Sequence, residues 1–63
     1  MTKFFVEYSI GDTPHLVGNL FIGLPTPRIS VEGLREIIKR IAHKEACPEV
    51  EVFIDNIAKI NSN

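Results

Sequence analysis

The sequence predicts one α+β domain of ββαβ order: a short, mostly antiparallel three-stranded sheet with a single amphipathic helix on one face. Three observations predict it. Apolar residues recur at period two through residues 3–10 and, less regularly, through 15–24; an amphipathic segment lies between Ser30 and Pro48; and alternation returns from Glu49 onward.

In the first strand Phe4, Val6, Tyr8 and Ile10 share one parity, with no glycine or proline among them. Gly11-Asp12-Thr13-Pro14 then reverses the chain, because glycine tolerates positive φ and proline fixes its own. The second strand sets Leu16, Leu20, Ile22 and Leu24 on one parity and Val17, Asn19 and Phe21 on the other, with Gly18 and Gly23 weakening or bending it. Pro25 and Pro27 stiffen the connector that leads to Arg28.

Ser30 stands where a helix N-cap belongs, and Glu32 places negative charge in the first turn. At 100° per residue Val31, Leu34, Ile37, Ile38, Ile41, Ala42 and Ala46 fall within one half of the wheel, so the helix begins at about Val31. Pro48 disfavours helical geometry at Cys47 and stops it near Ala46. The third strand follows from Glu49, with Val50, Val52 and Ile54 on one side and Glu51, Phe53 and Asp55 on the other. Past Asn56 it continues or bulges, since Ile57 and Ile60 have opposite parity.

A hairpin followed by a helical crossover makes the third strand antiparallel to the first. Placing it beside the first gives the strand order 2-1-3; placing it beside the second gives 1-2-3 with a parallel pair. The first strand has the stronger central character, which favours 2-1-3.

A chain of 63 residues forms one domain and buries only roughly 60% of its unfolded surface. Cys47 is the sole cysteine and cannot bridge within the chain, which fits a reducing compartment. The charge of −1, with 44% apolar and 24% charged residues, is that of a globular domain. Glu7, Gly11 and Asp12 interrupt the N-terminal stretch before a signal sequence could develop, and Leu16 to Leu24 falls far short of a membrane span. The expectation is a cytoplasmic protein with no membrane partner.

The functional expectation comes from the sheet face that the helix leaves bare. If Phe4, Val6, Tyr8, Leu20, Ile22, Val50, Val52 and Ile54 face the helix, alternation sends Phe5, Val17, Phe21 and Phe53 to the other side, with Ile57 beside them. Such a set approaches the apolar patch size, roughly 300–600 Å², at which monomers carry an interaction site. A second copy stacked at roughly 10 Å would cover it as a homodimer, and another protein would serve as well. Base stacking by these rings is disfavoured, because Glu7, Glu51 and Asp55 share the face with Lys3 alone, and phosphates need the opposite balance.

The alternative is a nucleic-acid-associated accessory protein using Arg28, Arg35, Lys39, Arg40 and Lys44, opposed by Glu32 and Glu36. Against it, Glu36 precedes Arg40 by four residues, the order of a helical ion pair, and basic residues late in a helix offset its dipole. His43 and Cys47, four apart, with His15, make no recognisable metal pattern. Glu7, Glu51, Asp55 and His15 are explained as solvent-facing, and no glycine-rich phosphate loop enters the helix. The reading is a non-catalytic binding or regulatory module without metal or cofactor.

Overall fold

The computed structural model describes residues 1–11 and 16–61; three residues of the expected turn, Asp12 to Pro14, and His15 lie outside them. The elements are β1 (Thr2–Ile10), β2 (Leu16–Leu24), α1 (Val31–Glu45), a single turn of 3-10 helix at Glu49–Glu51, and β3 (Val52–Asn61). The three strands form an open sheet in the order β2-β1-β3, antiparallel throughout. The 2-1-3 order therefore holds, with β1, which contains no glycine or proline, at the centre.

β1 and β2 pair without interruption from Thr2 opposite Leu24 to Ile10 opposite Leu16. Gly11 opens the connection between them at φ +82°, a conformation that glycine adopts without penalty. β3 is less regular. Tyr8 pairs with Ile54 but Glu7 pairs with Asn56, so Asp55 is an extra residue, and Ile60 is another between the partners of Phe4 and Lys3.

The helix is framed as its sequence requires. The Ser30 side chain accepts the Gly33 N–H at 3.0 Å, satisfying a donor that has no partner within the helix. At the other end Ala46 takes the left-handed conformation, φ 55° and ψ 49°, with its N–H directed at the Ala42 and His43 carbonyls. The Cys47 N–H then donates to the Ala42 carbonyl at 3.0 Å, and Pro48 leads the chain away.

The core lies between α1 and one face of the sheet. Val6, Tyr8, Ile37 and Ile41 are fully buried, and Phe4, Ile10, Ile22, Leu24, Ala42 and Val52 complete the cluster. Three expected core positions differ. Val50 belongs to the 3-10 turn and is 83% exposed. Its parity with Val52 counts for nothing where the backbone is helical. At the start of α1, Val31 and Leu34 are exposed although they share the apolar half of the wheel with Ile37 and Ile41; the core is built from the later turns.

A phenol hydroxyl enters this core. Tyr8 is 1% exposed, and its hydroxyl donates to Glu45 Oε2 at the last turn of α1. Burial, then the Glu45 carboxylate, push the phenol above its ordinary pKa. The Lys44 ammonium stands 5.5 Å from the Tyr8 ring centroid and donates to the Asn19 carbonyl at 2.8 Å, tying the helix to β2.

Candidate interaction surface

With Phe4, Val6, Tyr8 and Ile10 turned to the helix, β1 sends Phe5, Glu7 and Ser9 to the opposite face, and pairing aligns these into rows. Phe21, Phe5 and Ala58 form one row; Asn19, Glu7 and Asn56 the next; Val17, Ser9 and Phe53 the third. Parity across Gly18 is kept, so Phe5, Val17, Phe21 and Phe53 share the outer face as alternation requires.

These residues do not form one patch. Phe5 and Phe21 make a pair, ring centroids 5.1 Å apart and planes tilted by 50°, within the range of favourable aromatic contact. Val17 and Phe53 flank Ser9 four residues further along β1, about 13 Å away at the usual strand rise. Between them runs a polar row in which Asn56 Nδ2 donates to Glu7 Oε1 at 3.2 Å. Ser9 Oγ donates to Asp55 Oδ1 at 3.3 Å. Glu7, Asn19, Asp55 and Asn56, with Val17, line a shallow concavity here. Glu51, expected on this face, lies in the 3-10 turn instead.

Ile57 stands apart from the others. The extra residue at Asp55 reverses the parity of everything after it, so Ile57 pairs opposite Val6 and packs half-buried against the core on the helix side. Phe21 and Val17 are each 66% exposed and Phe53 47%, while Phe5, on the central strand, is half-buried.

The basic residues are less gathered than their sequence suggests. Arg40 pairs with Glu36 at 3.4 Å, both exposed, in the i,i+4 order that stabilises a helix only slightly. Lys44 is engaged with Asn19 and the Tyr8 ring. Arg28, Arg35 and Lys39 are exposed.

Among the described residues no three His, Cys, Asp or Glu side chains come together as a metal site. Cys47 is free and half-buried, and its thiol is pushed up first by burial and then by the Glu51 and Glu45 charges. That is the opposite of an activated nucleophile. No helix among the described residues is long and apolar enough to cross a membrane.

The group formed by Tyr8, Gly18, Lys44 and Glu45 was not legible as a unit. Its one sequence signal is that a hairpin reversing between Ile10 and Leu16 sets the only tyrosine opposite a glycine. Comparison with protein-family models, with curated proteins and with solved structures returns no match.

Proposed function

We propose that the chain is a non-catalytic binding module whose working surface is the outer face of the sheet, contacting a protein partner through Phe5 and Phe21. The observation that carries the reading is the ring pair itself: Phe21 is two-thirds exposed and rests on Phe5, on a face that α1 does not cover. Aromatic residues in such a position are the usual anchors of protein contacts. Glu7 and Asp55 on this face, against Lys3 alone, argue for a polypeptide partner and against a phosphate backbone.

A second copy stacked squarely on this face would bring Glu7, at the middle of the central strand, toward its own counterpart, and like charges so placed are unfavourable. The rings toward one end of the face are the better contact. For the basic-helix alternative no single observation does as much, since Arg40 and Lys44 already make contacts within the chain.

The test is affinity capture with wild type, Phe5→Glu and Phe21→Glu, followed by binding measurements on any purified candidate. A protein held by wild type and released by both variants supports the reading. Captured material unchanged by both variants rejects it, and a salt-sensitive affinity for nucleic acid lost on reversing Lys39 and Arg40 would replace it with the alternative.

A further inference from the structure

The middle of the outer face is shaped by the extra residue in β3. Asp55 has no partner of its own on β1, since Tyr8 pairs with Ile54 and Glu7 with Asn56. Asp55 bonds Ser9 and Asn56 bonds Glu7, both of which β1 sends to the outer face, so two successive residues of β3 present their side chains on the same side of the sheet. A regular strand would turn one of them away. The extra residue thereby sets the Asp55 and Glu7 carboxylates around one shallow concavity, with Val17, Asn19 and Asn56.

Each carboxylate uses one oxygen within the chain. Glu7 Oε1 accepts from Asn56 Nδ2 at 3.2 Å, and Asp55 Oδ1 accepts from Ser9 Oγ at 3.3 Å. These donors are neutral and leave both negative charges in place, and among the described residues neither carboxylate pairs with a cation. Lys3 lies beyond the ring row, four residues from Glu7 and about 13 Å away along β1. The Lys44 ammonium is held at the β2 edge by the Asn19 carbonyl and lies over the Tyr8 ring.

Apolar side chains stand on both sides of these charges. Phe5 and Phe21 lie one row away, about 7 Å along β1 from Glu7, and Val17 and Phe53 lie one row away in the other direction. Apolar, acidic and apolar groups thus follow one another at the spacing of alternate residues in an extended chain.

We infer that the outer face takes a polypeptide segment that presents a basic side chain between two apolar ones, at alternate residues of an extended chain. This deepens the proposed function and rests on it for the ring contact. The first apolar residue meets Phe5 and Phe21, the basic head enters the concavity of Glu7 and Asp55, and the second apolar residue meets Val17 and Phe53. Charge complementarity chooses the class of partner. Two carboxylates without a cation repel an acidic segment or a phosphate backbone, and a purely apolar segment offers nothing to offset their desolvation.

The test titrates the full chain, followed by NMR, with the peptide acetyl-Leu-Thr-Arg-Thr-Leu-amide and with the same peptide carrying citrulline, the neutral isostere of arginine. The arginine peptide is expected to bind with a dissociation constant on the order of 1 mM, shifting the signals of Phe5, Glu7, Phe21 and Asp55. The citrulline peptide is expected to bind more weakly by about threefold or more. Glu7→Gln combined with Asp55→Asn keeps an acceptor for Asn56 and for Ser9, so the face stays built while its negative charge goes, and the difference between the peptides is expected to vanish. Equal affinity of the two peptides for wild type overturns the inference, as does a preference for arginine that survives in the double variant, or no binding of the arginine peptide up to about 10 mM. Should the peptides bind equally and both be weakened by Phe21→Ala, the face reading stands and this inference alone falls. Binding unchanged by Phe21→Ala is the failure of the face reading itself and takes this inference with it.

Discussion

The phenol of Tyr8 occupies the space that a side chain at Gly18 would fill. The two residues are paired across β1 and β2, and a Cβ built on Gly18 would stand 2.6 Å from the Tyr8 hydroxyl oxygen and 2.8 Å from the ring carbon that bears it. Glycine within a strand ordinarily weakens it, but here the bare backbone gives the ring its path to Glu45.

Gly18→Ala is therefore expected to destabilise the fold, although alanine lowers backbone entropy in the unfolded chain. The ring is fully buried and its hydroxyl is held by Glu45, so it cannot step aside freely. An overpacking cost of about 1–3 kcal/mol is expected in urea unfolding. A neutral or stabilising alanine would show that the ring moves without penalty.

Tyr8→Phe removes the hydroxyl and leaves the half-buried Glu45 carboxylate without this donor, at an expected loss of about 1–2 kcal/mol. The same residue sets an alkaline limit. Its folded pKa is raised above the ordinary 10.0, so between the two values the unfolded chain has released the proton and the native chain has kept it. Stability from this group is complete below the unfolded pKa and is lost as pH rises through the folded one. Tyr8 is the only tyrosine, so phenolate absorbance reads this titration directly, and Tyr8→Phe should flatten that limb of the stability profile.

Ala46 closes α1 in the left-handed region at φ 55°, where a Cβ crowds the following carbonyl. Glycine takes that conformation without the crowding, at the cost of extra freedom in the unfolded chain. Ala46→Gly is expected to raise stability by up to about 1 kcal/mol in thermal or urea unfolding, and a decrease would show that the left-handed cap is not kept in solution.

The architecture was legible because several local signals agree. β1 has uninterrupted alternation, Ser30 caps α1 where an apolar helical period begins, and Pro48 follows the point where it ends. What escaped lies where one backbone period gives way to another. Val50 keeps the parity of Val52, yet Glu49–Glu51 coil into a 3-10 turn, and nothing in the alternation marks the change. The ring pair on the outer face was legible from parity alone. Its separation from Val17 and Phe53 was not, because that depends on which residues of three strands share a row, a matter of register and not of period.

The extra residue at Asp55 gives the most direct test of the placement of β3. Strict alternation from Val52 would put Ile57 on the same side as Phe53 and Phe21, whereas the register opposes it to Val6 and packs it against the core. Truncation separates the two arrangements. Ile57→Ala removes apolar volume from a half-buried site, with an expected loss of about 1–3 kcal/mol, around the low end for buried isoleucine. Phe21→Ala truncates a side chain that is already two-thirds exposed and should cost less, about the 0.5–1.5 kcal/mol of its contact with Phe5. Urea unfolding of both variants, beside wild type, decides the matter. If Ile57→Ala is as mild as a surface substitution, the parity of β3 beyond Asp55 is the straight-strand one, and the outer face regains an isoleucine beside its polar row.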